Sequence, residues 1–109
     1  MSRPANALRG EAAIIVQGQQ RLLRPSFSAL VAAEEELGPL FALVERAGAG
    51  QLRLAELAAL FWHCLAEPGE LNRAQLGEAV AALGLARASQ PLRVLLAQIL
   101  QGDAALPSG

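Results

Sequence analysis

The fold is decided by the stretch RGEAAIIVQGQQRLLRPSFSALVAAEEELG, which spans residues 9–38. The β-branched run at residues 14–16 favours a strand, and Gly18 allows the positive φ of a tight turn. The chain can then return as a second strand until Pro25, which has no amide hydrogen to donate to a sheet. The stretch therefore predicts a β-hairpin over residues 10–24.

Helices are predicted for the rest of the chain, and the first begins after Ser26, a residue type that often caps helices. Gly38 and Pro39 end this helix and start the second, which stops at the Gly-Ala-Gly of residues 48–50. We expect one side of the first helix to carry five side chains at helical spacing. They are Phe27, Leu30, Val31, Glu34 and Leu37.

Three further helices complete the predicted helical part. The fourth begins at Asn72, because Gln75 three residues later can complete a capping box. For the last helix, Ser89 is the expected N-cap and Pro91 is expected in the first turn. The third helix is expected over residues 53–67, with an inward side formed by Leu54, Leu57, Phe61, Cys64 and Leu65.

The composition agrees with a helical domain. The chain is 53% hydrophobic but only 4% aromatic, and Ala and Leu dominate, which favours helices packed through aliphatic side chains. The predicted fold class is mainly α (α+β), an N-terminal β-hairpin followed by about five short helices in one compact domain. Residues 1–8 are expected to be a flexible arm and residues 103–109 a frayed tail. Between them, residues 9–102 form the single domain, with its helical part over residues 26–102.

Charge and cysteine content narrow the classes of function. The net charge of -1 and the pI near 5.8 argue against a nucleic-acid partner, because binding a phosphate backbone requires clustered cations. Cys64 is the only cysteine, so no internal disulfide can form and a cytoplasmic location is expected. No stretch approaches the roughly 20 apolar residues of a bilayer span, so no membrane partner is expected.

Reactive side chains gather only at Trp62, His63 and Cys64. Adjacent residues on a helix point about 100° apart, so His63 is poorly placed to act as a base for the Cys64 thiol. Zinc requires three or four converging ligands, and Glu67 one turn after His63 does not complete such a set. We therefore expect no catalytic residues, no metal site and no cofactor.

Apolar side chains on both faces of the hairpin point to a partner-binding surface instead. An isolated hairpin is marginal in water, so it must pack on its own helices or on another chain. Phe61 and Trp62 are neighbours on a helix, so one of them is a candidate interface residue unless the core wraps both. The expected partner-binding residues are Ile14, Ile15, Val16, Leu22, Leu23 and Trp62.

A family resemblance is carried by residues of the hairpin and first helix. They are Asn6, Arg9, Gly10, Glu11, Gly18, Leu23, Arg24, Pro25, Ser26, Phe27, Ala29, Leu30, Glu34, Leu37 and Gly38, with a looser match at residues 43–46 and 54–57. On these residues the sequence resembles a family of small tail proteins of gene transfer agents and related prophages, called tail tube proteins or tail assembly chaperones. It departs from the family at residues 65–69, where members have a glycine-rich run, and at residues 20–23, where many have an aromatic residue.

The resemblance implies a non-enzymatic role in virion assembly, in the bacterial cytoplasm or in the virion tail itself. The most specific expectation is a tail assembly chaperone that binds a tape-measure or tube protein. The alternative is a structural tail tube subunit, which would be a homo-oligomer. A second alternative is a small helical DNA-binding regulator using residues 72–99, although only Arg87 and Arg93 lie near its second helix.

Overall fold

The computed structural model describes residues 11–101 and begins with a two-stranded antiparallel ribbon. Strand β1 is Ala12–Val16 and strand β2 is Gln19–Leu23. Gln17 and Gly18 both have positive φ and form the two-residue turn that suits the right-handed twist of a hairpin. The predicted hairpin is therefore confirmed.

Five helices follow the ribbon and confirm the predicted fold class. Their bounds are α1 Phe27–Leu37, α2 Leu40–Gly48, α3 Leu54–Cys64, α4 Arg73–Leu83 and α5 Leu85–Gln101. Helix α1 packs on α3, α3 on α4, and α4 on α5, while β1 contacts both α4 and α5. The arm and the tail expected at residues 1–8 and 103–109 lie outside the described residues, and the domain limits at residues 9 and 102 stay predictions.

Two helix starts agree with their sequence signals. Ser26 Oγ accepts a hydrogen bond from the Ala29 amide at 3.2 Å, which caps α1. At the start of α4, Asn72 Oδ1 accepts from the Gln75 amide at 2.8 Å, and Gln75 Oε1 accepts from the Asn72 amide at 2.9 Å. This reciprocal pair is the predicted capping box.

The predicted start of the last helix is wrong. The Ala88 amide already donates to the Gly84 carbonyl at 2.9 Å, so α5 begins at Leu85 and contains Pro91 in its interior. Ser89 does not cap it, because its hydroxyl donates to the Ala86 carbonyl at 2.6 Å. The early start places Ala88 in the core, and Pro91 leaves one backbone hydrogen bond unmade inside the helix.

The core lies between the ribbon and the helices. Helix α3 is its centre, with Phe61 and Leu60 fully buried, and α3 ends at Cys64 rather than at residue 67. Leu54, expected to face inward, is exposed at the start of this helix. The other large side chains with no exposed area are Val16, Leu23, Leu43, Leu76, Val80 and Leu95.

The expected inward side of α1 is partly wrong. Phe27 is 84% exposed and Val31 is also exposed, whereas Ala29 and Ala33 are buried, with Leu30 and Leu37 packed against the core. Small side chains at the contact allow two helices to approach closely, and here they let α1 pack against α3. The aromatic ring at the start of α1 is thus left on the surface.

The ribbon is joined to α3 along the second edge of β2. The Arg24 amide donates to the Cys64 carbonyl at 2.7 Å, and the Ala66 amide donates to the Leu22 carbonyl at 3.0 Å. Leu23 and Leu65 form an isolated antiparallel bridge between these two bonds. Residues 64–66, which begin at the last residue of α3, therefore act as a short third strand, and the C-terminal half of β2 is paired on both sides.

Candidate protein-binding surfaces

The inner face of the ribbon belongs to the core. Paired residues of an antiparallel ribbon share a face, and Ala12 is paired with Leu23 and Val16 with Gln19. Three of the six residues expected to bind a partner, Ile14, Val16 and Leu23, are buried against the helices. In this conformation they support the ribbon from beneath and are not accessible to another protein.

The outer face of the ribbon is available. Ile15 is 54% exposed, and Leu22, which is half-buried, lies diagonally across from it. Ile15 is paired with Gln20 and Leu22 with Ala13 across the two strands, so the four positions of this face carry no charge. We call these four residues the outer ribbon face.

Trp62, the sixth expected partner-binding residue, is half-buried and packs against the core. Its neighbour Phe61 has no exposed area, so the core buries the phenylalanine ring completely and the indole only in part. The indole therefore has a stabilising role within the fold, and its part in partner binding stays a prediction.

Two phenylalanines provide exposed apolar surface that the sequence reasoning missed. Phe27 at the start of α1 is 84% exposed, and Phe41 in the first turn of α2 is 80% exposed. The sequence did contain a signal for Phe41, because it falls outside the helical stripe formed by Leu40, Leu43 and Val44. Aromatic residues are enriched at protein interfaces, so both rings are candidates for contact with another chain.

An ion pair secures the open end of the ribbon. Arg24 Nε donates to Glu11 Oε2 at 2.8 Å, and the Glu11 side chain is only 4% exposed. Because a buried carboxylate is costly to leave without a cation or hydrogen bonds, this pair fixes the two ribbon ends relative to each other. Glu34 is not part of this pair, and its Oε2 accepts from the Leu40 amide at 3.1 Å.

A second polar cluster joins three helices. Glu36 of α1 accepts from His63 of α3, with 2.8 Å between Oε1 and Nε2, and its other oxygen accepts from Arg73 of α4. The hydrogen bond from Arg73, and then that from His63, lowers the pKa of the Glu36 carboxyl from its ordinary value of 4.5.

The lowered pKa of Glu36 predicts a pH-dependent contribution to stability. A depressed folded-state pKa stabilises the protein above the unfolded value of 4.5, and this contribution is lost as the pH falls through the folded pKa. We therefore expect Glu36→Gln to be less stable than the wild type at neutral pH, with the difference shrinking in acid.

Urea denaturation of both proteins at several pH values measures this difference. Glu78→Gln is the control, because Glu78 is an exposed carboxylate on α4. A Glu36→Gln defect that stays constant from neutral pH to well below 4.5 would show that the carboxylate charge does not stabilise the cluster.

The chemistry available to the described residues is limited. Burial raises the pKa of the Cys64 thiol to about 12, which removes its nucleophilic form at neutral pH. Within residues 11–101 there is no group of three or more His, Cys, Asp or Glu side chains placed to hold a metal ion. In the same part of the chain, every helix is too short or too polar to cross a membrane.

The helix pair considered for DNA binding is present as α4 and α5, which pack against each other. Arg87 and Arg93 are the cationic residues of α5, and both are exposed. Two separated cations do not form the basic stripe typical of a recognition helix. This alternative gains no support from the arrangement.

Comparison with known proteins identifies the family. The chain finds no significant match among curated proteins and none among solved structures. The sequence model of one family, described as phage tail tube protein, GTA-gp10, matches residues 9–102, which include the ribbon and all five helices. That description points to a structural component of a phage or gene transfer agent tail, in agreement with the resemblance read from the hairpin and first helix. The chain therefore belongs to the phage tail tube protein family typified by GTA-gp10.

Proposed function

We propose that the protein is a non-enzymatic tail assembly chaperone that binds another tail protein, a tape-measure or tube protein, through the outer ribbon face. The observation that carries the proposal is the exposure of Ile15 beside Leu22 on the outer ribbon face, whose four residues carry no charge. Binding is favoured when a partner covers exposed apolar area, and a rigid support lowers the entropy cost of that binding. The Leu23–Leu65 bridge and the Glu11–Arg24 pair supply that support.

The mode of contact follows from the edges of the ribbon. Residues 64–66 already occupy the second edge of β2 next to Leu22, so a client cannot add a strand there. Ile15 and Leu22 offer a contact through side chains, because the apolar side of a helix can pack against them. Phe41, exposed on α2, is a further apolar contact available to a large client.

Co-expression with the tape-measure or tube protein of the same tail tests this function. We expect the wild-type protein to co-purify with its client and keep it soluble, and Ile15→Asp to lose both effects. Gln51→Asp is the matched control, because Gln51 is exposed in the loop before α3. Circular dichroism of the free variants shows whether each one is folded. The proposal fails if no client co-purifies, or if the two aspartate variants behave alike.

A structural tail tube subunit is the second candidate, and the description of the family favours it. A tube subunit must associate with copies of itself, so light scattering on a size-exclusion column separates it from a chaperone that acts as a monomer. A strict monomer at high concentration contradicts the tube subunit and leaves the chaperone intact.

A further inference from the structure

The outward face of α1 combines apolar and acidic groups. Phe27, Val31 and Glu35 follow one another at intervals of four residues, so they lie in one row along the helix. All three are exposed, and Glu35 makes no ion pair with another described residue. Glu34 shares the face, but its carboxylate already accepts from the Leu40 amide. The row thus runs from an aromatic ring to a free carboxylate.

The outward face of α5 combines the complementary groups in the opposite order. Arg93, Ala97 and Leu100 are exposed and lie in one row, since they are spaced by four and three residues. Leu100 is 54% exposed, and Arg93 makes no ion pair with another described residue. This row runs from a free guanidinium to an apolar side chain.

The two rows match when the helices pack antiparallel. With a rise of about 1.5 Å per residue, the α1 row is about 12 Å long and the α5 row about 10 Å. Phe27 then lies opposite Leu100, and Glu35 lies opposite Arg93. Between them, the small side chain of Ala97 leaves space for Val31.

We propose that α1 of one copy binds α5 of a second copy through these two rows. Within one molecule, α1 and α5 pack against different elements. Helix α1 packs on α2 and α3, whereas helix α5 packs on α4 and β1. Each copy therefore keeps one row of each kind for its neighbours. This contact is separate from client binding, because it uses α1 and α5 rather than the outer ribbon face. Its role in a tail rests on the second candidate function, in which the protein is a tube subunit.

The geometry of the contact determines the assembly. Two different surfaces of the same chain make a heterologous, head-to-tail interface, which generates closed rings or open filaments rather than a two-fold dimer. A single pair of short helices buries less than the roughly 800 Å² per partner of a standard interface. Association should therefore be weak for one contact and rise with protein concentration.

Sedimentation velocity of the full chain over a range of concentrations tests the proposal. Glu35→Arg and Arg93→Glu place like charges opposite each other, and each is expected to weaken self-association roughly fivefold to tenfold. The double variant restores the opposite charges and should recover wild-type association. Phe27→Ala should also weaken association, because it removes the largest apolar contact.

The controls come from α2, which has an exposed phenylalanine and an exposed carboxylate four residues apart on one side of the helix. Phe41→Ala and Glu45→Arg repeat the changes at equally exposed sites and should leave self-association unchanged. A wild-type protein that stays monomeric at every concentration overturns the proposal. The proposal is also overturned if the double charge variant does not recover self-association, or if an α2 variant weakens self-association as much as its α1 counterpart does. Client co-purification by Glu35→Arg separates this contact from the chaperone function, because it should be retained even where self-association is lost.

Discussion

Phe61→Ala is expected to lower the free energy of unfolding by about 3–5 kcal/mol. Phe61 has no exposed area and lies on α3, the helix that packs against both α1 and α4. Removing the ring takes away its buried apolar surface and leaves a cavity that the rigid ribbon and neighbouring helices cannot fill completely. A domain typically has a total stability of about 5–15 kcal/mol, so this loss is a large fraction of the total.

Phe41→Ala is the matched control for this change. The same atoms are removed, but Phe41 is 80% exposed, so the expected loss is within about 0.5 kcal/mol. Urea denaturation followed by circular dichroism measures both variants on one scale. Equal losses for the two would mean that the two rings do not differ in burial as described.

The Cys64 thiol is expected to react roughly 10³-fold more slowly in the folded protein than in the unfolded chain at about pH 8. Desolvation by burial raises its pKa to about 12, whereas an ordinary thiol has a pKa of about 8.5. The thiolate is the reactive form, and at that pH its fraction falls by about this factor. A raised folded-state pKa also means that stability falls as the pH rises above about 8.5.

Labelling with a chromogenic disulfide reagent, with and without denaturant, measures this protection. Cys64→Ala combined with Gln51→Cys provides the reference, since Gln51 is exposed in the loop before α3. The reference thiol should react at nearly the same rate in both conditions. Rapid labelling of folded wild-type protein would show that the end of α3 opens readily or that the thiol is not desolvated.

Local signals in the sequence were sufficient for most of the fold. The positive-φ turn at Gly18, the cap at Ser26 and the capping box at Asn72 each depend on residues within a few positions of one another. These short-range interactions are specified by residue type alone, so the hairpin and the starts of α1 and α4 were predicted correctly.

The errors arose where packing decided between local alternatives. The spacing of α1 is compatible with burying either its large or its small residues, and contact with α3 selected Ala29 and Ala33. The Ser89 and Pro91 pattern is typical of a helix start, yet α5 begins at Leu85 and its first turn carries the buried Ala88. Helical spacing alone does not contain these tertiary contacts.

The polar clusters lay beyond sequence reasoning for the same reason. Glu36, His63 and Arg73 belong to three helices, and no local pattern indicates that they meet. The partner-binding residues were predicted from the apolar character of the hairpin, which does not determine the face that the helices cover. The packing of the helices on the ribbon leaves Ile15 exposed to a partner and buries Ile14 and Val16.

The bridge between Leu23 and Leu65 has a consequence for folding during synthesis. The ribbon is encoded near the start of the chain, but its third segment emerges only after α3 has been translated. A two-stranded hairpin is marginal by itself, so the nascent ribbon stays labile until residue 66 has left the ribosome. From then on, a single docking event orders the ribbon and the central helix together, and a premature stop before that point would yield a chain without a stable ribbon.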